Sequence, residues 1–178
     1  MNLEEYKAWL EKNGNVEEQK AYEVAKEVIR YHKSDWSETE ANLFPRKIIK
    51  DGNNRIEFDL LIRLTFRGRR RTTERLIGIE FKEYDIKKAI LQAIVRKQYV
   101  DYQYIATRFV ELDYMDLLQL SFYSIGWVIW DEDFVKLLVP AKYTEPTVDI
   151  CHILNEVVKD VVRKRVREEL ETLTRFIS

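Results

Sequence analysis

Cysteine is almost absent. Cys151 stands alone in 178 residues, which excludes a disulfide framework and any cysteine-held zinc or iron–sulfur centre within one chain. No uninterrupted apolar run is long enough for a membrane-spanning helix, which needs about twenty such residues. No charged, then apolar, then small-residue leader opens the sequence, so a cytoplasmic protein with no membrane partner is expected. Glycine (5) and proline (3) are scarce, and there is no linker, repeat or low-complexity tract. The expectation is therefore one domain over 1–178, large enough to bury a core without staples. The two histidines, His32 and His152, have no partner at ligand spacing and read as incidental. A net charge of −1 sets up no global field of the kind that marks many nucleic-acid binders.

What is present is a globular mixture, 46% hydrophobic and 34% charged. Its charge is unevenly placed. Pro45 to Arg75 holds ten Lys and Arg against four Asp and Glu, whereas Met1 to Phe44 holds six against ten. In "NVEEQKAYEVAKEVIRYH", Ala21, Val24, Ala25, Val28 and Ile29 recur at helical spacing behind a capping Asn15. "FPRKIIK", "RIEFDLLIRLTF" and "ERLIGIEF" read as strands joined by the turns "DGNN" and "RGRRRTT". A helix over "DIKKAILQAIVRKQYVDY" follows, then a strand "YQYIAT" and a helix over "DYMDLLQLSFYSIG". "WVIWDEDFVKLLVPA" reads as a strand pair, and an amphipathic helix is expected from about 148 to 178. This order, α-β-β-β-α-β with further helix, predicts an α/β (α+β) fold with a mixed central sheet flanked by helices.

Two of the strands carry charge where burial is expected. Side chains alternate along a strand, so Glu57 and Asp59 share one face, and Glu80 and Lys82 share another. Antiparallel pairing could bring Asp59 and Glu80 together. Two carboxylates that close repel and raise one pKa unless a cation lies between them. A hard ion such as Mg²⁺ suits one or two carboxylates completed by water and phosphate oxygens, and Lys82 points into the same space.

Asp59, a spacer of twenty residues and "EFK" (Glu80, Phe81, Lys82) resemble the D-Xn-(D/E)-X-K signature of the PD-(D/E)XK nuclease superfamily. The resemblance covers about residues 16–107. It implies a restriction-endonuclease-like core, Asp59 and Glu80 as metal ligands with the Phe81 carbonyl, and Lys82 in catalysis. It implies Mg²⁺ or Mn²⁺ as cofactor and DNA as substrate, cut by phosphodiester hydrolysis. A glutamate of the first helix completes such sites; Glu17 and Glu18 both qualify, and Glu18 is chosen. Gln92 matches the family's helix residue near the site. The first motif reads "EFD", without the family's proline.

Arg67, Arg69, Arg70 and Arg71, with Arg63 and Arg75, are expected to grip the phosphate backbone. Each feature also has a plainer reading: a solvated strand face for Glu80 and Lys82, macrodipole stabilisation for Glu17 and Glu18, and a solvated turn for "RGRRR". The functional alternative is a nucleic-acid-binding or assembly module of the same fold that does not cleave. The apolar stripe from Ile150 to Leu173 predicts a homodimer, since it outruns the cover one sheet requires.

Overall fold

The computed structural model describes residues 1–33, 38–51, 54–68, 71–108, 113–150 and 154. The chain divides into two compact units, Met1–Thr147 and Val148–Ser178. In the second, Leu154 N–H donates to the Ile150 carbonyl at 3.2 Å, closing one helical turn. Residues 155–178 lie outside the described residues, and with them most of the expected C-terminal helix and its dimer stripe; Cys151 and His152 do too.

The first unit is a mixed α/β layer structure. Helix α1 (Leu3–Asn13) opens with a capping box in which Asn2 and Glu5 satisfy each other's backbone N–H groups. A 3-10 turn at Val16–Glu18 precedes α2 (Ala21–His32). Strands β1 (Glu38–Asp51), β2 (Asn54–Arg67) and β3 (Thr72–Lys82) follow. Then come α3 (Ile86–Arg96), β4 (Tyr102–Arg108), α4 (Tyr114–Phe122), β5 (Gly126–Trp130) and β6 (Val135–Val139). The six strands form one sheet in sequence order. β1, β2 and β3 pair antiparallel, β3, β4 and β5 parallel, and β6 antiparallel to β5. Each parallel pair is joined by a helix, α3 or α4, as parallel neighbours require.

Helices cover both faces, which is why β3, β4 and β5 are buried on successive residues rather than on alternate ones. On one face, Leu60, Ile62, Ile77, Ile79, Tyr104 and Val128 pack with Tyr6 of α1 and Val24, Ala25 and Val28 of α2. On the other, Ile105, Trp127 and Ile129 pack with Ala89, Ile90 and Ala93 of α3 and Leu120 of α4. Neighbouring residues of β4 and β5 thus serve opposite layers.

The sheet forks at one point. The β2–β3 ladder runs from Arg67–Thr72 to Leu60–Ile79 and ends there. Beyond it β2 continues paired with β1, while β3 continues to Lys82 paired with β4. The β1–β2 ladder also breaks at this level, passing from Pro45–Leu60 to Lys47–Phe58 and skipping Arg46 and Asp59. Arg46 has φ 44°, a left-handed conformation that costs a residue with a Cβ roughly 1–2 kcal/mol. Asp59 therefore sits at a kink, on the lip of the opening between two strands.

Candidate functional site

With the ladder gone, Phe81 N–H has no β2 carbonyl to meet. It donates instead to Asp59 Oδ2 at 2.9 Å, so a side chain replaces a rung of the sheet. Lys82 Nζ turns back into the fork, donating to the Phe81 carbonyl at 2.7 Å and to Glu17 Oε2 at 3.0 Å. It lies 3.6 Å from Glu80 Oε1 and 4.0 Å from Asp59 Oδ2. From the other side Arg96, on the last turn of α3, brings Nε to 3.2 Å from Glu80 Oε2 and donates to the Glu57 carbonyl at 2.5 Å.

Glu80 has 0% exposure, and neither carboxylate oxygen receives a hydrogen bond from a nitrogen or hydroxyl donor; the neighbouring Asp59 carboxyl is its hydrogen-bonding neighbour when a proton is shared between them. Burial first, then the neighbouring Asp59 carboxylate, pushes its pKa up to about 8 against the opposing pull of Arg96 and Lys82. For Lys82, burial alone lowers the pKa. The Glu17 hydrogen bond and the Asp59 and Glu80 carboxylates outweigh it, so the net shift is upward. The lysine stays charged. When all groups are ionised, three carboxylates face two cations, leaving one unit of negative charge.

The donor set suits a hard cation. Two carboxylates and a backbone carbonyl surround the Lys82 ammonium, and the two buried oxygens of Glu80 lack the hydrogen bonds such groups normally find. Among the described residues no group of three or more His, Cys, Asp or Glu could hold a metal. A cation here would use Asp59, Glu80 and the Phe81 carbonyl, with water or phosphate oxygens for the rest.

Of the two candidate glutamates, Glu17 reaches Lys82. Glu18 is committed elsewhere: it closes a capping box with Asn15 and pairs with Arg46 at 2.5 Å. Arg46 also donates to the Asn13 carbonyl and lies over the Trp9 ring. Glu18 is thus held by Arg46 and Asn15, and no contact to Lys82 is among its hydrogen bonds or ion pairs in the described residues. Gln92 lies on α3 one turn before Arg96, and its Oε1 is buried without a hydrogen bond. Tyr6, on α1, carries a buried hydroxyl that also lacks a partner. Its pKa is raised by burial first, then by the Glu18 and Asp59 carboxylates.

The arginines are dispersed. Arg63 is buried within β2, and Arg75 lies over Tyr143, 4.0 Å from Asp101. Arg67 pairs with Glu40 at 2.9 Å, and Arg71 accepts from Gly68 N–H in the β2–β3 turn; Arg69 and Arg70 lie outside the described residues. That turn is at the far end of the hairpin from the fork. Asp59 and Arg67 are eight residues apart on one strand, about 26 Å at the usual rise. Among the described residues, Lys82 and Arg96 reach the fork's carboxylates and Arg46 feels the Asp59 charge, while Arg55 lines the groove beside α3. Arg96 had a visible signal in the sequence, one helical turn beyond Gln92. Arg46 had none, because nothing in "FPRK" announces a positive φ.

No family model and no curated protein sequence matches the chain. Among solved structures, a protein of unknown function from Silicibacter pomeroyi is similar over 84% of this chain and 88% of its own, at 13% identity and TM-score 0.38. A likeness of that size carries no argument about activity.

Proposed function

We propose that this chain is a divalent-metal-dependent nuclease of the PD-(D/E)XK type, with a restriction-endonuclease-like core, hydrolysing phosphodiester bonds of DNA. One observation carries the reading. Where the β2–β3 ladder ends, Asp59, Glu80, the Phe81 carbonyl and Lys82 converge within 4.0 Å of the lysine nitrogen.

Asp59, Glu80 and the Phe81 carbonyl would hold Mg²⁺ or Mn²⁺. Such an ion supplies Lewis acidity to a phosphoryl oxygen and lowers the pKa of a bound water. The chain's own groups do the rest. Phe81 N–H fixes the Asp59 carboxylate, and Arg96 fixes Glu80 from the α3 side. Lys82, kept protonated by Glu17, offers its ammonium to a phosphate oxygen as negative charge grows there. Buried walls of β3 and β4 keep bulk water from diluting that interaction.

The position of Lys82 also favours a second reading. Its ammonium already lies among the donor set, hydrogen-bonded to the Phe81 carbonyl and within 4.0 Å of both carboxylates, where a permanent counter-ion would sit in a module of this fold that binds nucleic acid without cutting it. A cleavage screen over linear and structured DNAs with Mg²⁺ and Mn²⁺ separates the two. Metal-dependent cutting that falls about 100-fold or more in Asp59→Asn and Glu80→Gln supports the nuclease. Wild-type rates in Glu80→Gln would end that assignment. Lys82→Ala is expected to lose turnover yet keep Mn²⁺ affinity by titration calorimetry.

A further inference from the structure

Between α3 and the half of β2 that β3 leaves unpaired runs a groove of about 340 Å³, lined by Arg55, Ile56, Glu57, Leu91, Gln92, Val95 and Arg96. That volume is within the range of small-ligand sites. The groove adjoins the carboxylate cluster, because Arg96 lines it and also holds Glu80 Oε2 at 3.2 Å. Its walls are unusual for a surface helix. Leu91 is 65% exposed and Val95 52% exposed, four residues apart and therefore stacked along one face of α3. A phosphate backbone gains nothing from such walls, whereas the flat face of a nucleobase does. Arg55 and Arg96 set two positive charges against the single Glu57 carboxylate of the same lining, a net positive wall for the phosphate beside it. Gln92 Oε1, a buried acceptor without a partner, gains one if a base N–H edge enters and the amide turns toward it.

In continuous duplex the base faces are covered by their neighbours, and an aliphatic wall cannot reach them; unpaired nucleotides present them freely. We propose that this groove takes an unpaired nucleotide next to the phosphate at the fork, so that the substrate is a single strand, or a duplex broken by a flap, gap or frayed end. The inference rests on the nuclease reading and names its substrate class.

The test compares four substrates with Mn²⁺: a labelled single strand, the same strand in blunt duplex, the same strand with abasic units at its centre, and methyl p-nitrophenyl phosphate, which has no base. The variant Leu91→Gln/Val95→Gln changes no charge and uses a good helix former at two exposed positions. The single strand is expected to be cut about tenfold or more faster than the duplex, and cutting beside the abasic units is expected to fall by a similar factor. In the variant, the ratio of strand cleavage to methyl p-nitrophenyl phosphate hydrolysis is expected to drop about tenfold. Equal cutting of strand and duplex, indifference to abasic units, or an equal fall on both substrates in the variant overturns the groove while leaving the nuclease standing. If no substrate is hydrolysed, the nuclease reading falls instead. Fluorescence anisotropy in Ca²⁺ then decides the groove: the wild type must bind the intact strand more tightly than the abasic one, and the variant must lose that preference.

Discussion

Glu80 carries a measurable consequence of its surroundings. Its raised pKa, about 8 against an ordinary 4.5, means that the folded protein holds a proton which the unfolded chain releases. The stability linked to that proton is complete below pH 4.5 and is lost as pH rises through 8. Between those limits the slope is at most about 1.4 kcal/mol per pH unit. Thermal melting in EDTA is expected to show stability falling from pH 5 toward pH 8, and Glu80→Gln is expected to flatten that fall. A wild-type profile that the glutamine leaves unchanged would mean Glu80 titrates normally. The two neighbouring glutamates separate in the same way. Glu17→Gln weakens a contact to Lys82 from a side chain that is 43% exposed, so activity is expected to drop with little change in melting. Glu18→Gln removes the charge facing Arg46 from a side chain that is 3% exposed. It is expected to cost about 1–2 kcal/mol, less than a fully buried pair because Arg46 meets solvent. Urea titration of both variants checks the contrast.

The site is made where two elements part. A continuous β2–β3 ladder would have paired Asp59 with Glu80 across the sheet and left no room between them. The fork lies level with Arg46, whose side chain is anchored by Glu18, Asn13 and Trp9 while its backbone takes a positive φ. Arg46→Ala loses the anchor and keeps the Cβ strain, while Arg46→Gly loses the anchor and relieves the strain. The glycine variant is therefore expected to be about 1 kcal/mol more stable than the alanine variant in urea. Equal stabilities would mean that the chain does not hold this backbone conformation. Much of the element order was legible: alternation in "RIEFDLLIRLTF" and turn residues at "DGNN" marked the hairpin. The helix Leu3–Asn13 was missed, although Asn2 with Glu5 three residues on is a capping-box signal. The choice between Glu17 and Glu18 was not legible. A single helix from Asn15 was expected, but the chain makes a 3-10 turn at Val16–Glu18 and begins again at Ala21. Phase counted back from Ala21 and Val24 does not survive that restart.

Among the described residues of the first unit, the basic stretch from Pro45 to Arg75 runs along β1, β2 and β3 rather than gathering at one point. Local charge counts revealed the basic stretch but could not show which end of a long hairpin it occupies, because that depends on where pairing stops. The structure sets the "RGRRR" turn and the fork at opposite ends of the β2–β3 pairing. Arg67 and Arg71 therefore cannot act on the phosphate at the fork. They can act on a phosphate about 26 Å away, the span of about eight base pairs at 3.4 Å per step. If an unpaired nucleotide fills the groove beside α3, the strand or duplex arm leading from it has that far to run before the turn can grip it. Arg67→Gln/Arg71→Gln is then expected to weaken binding only to substrates whose arm reaches about eight base pairs or more, and to flatten the dependence of log affinity on log salt for those alone. Shorter arms are expected to bind both proteins alike. Anisotropy titrations over a ladder of arm lengths and salt concentrations check this. A loss of affinity that is the same at every length would place these arginines in a diffuse field rather than on a track, and an unchanged salt slope on long arms would leave the turn as solvated surface.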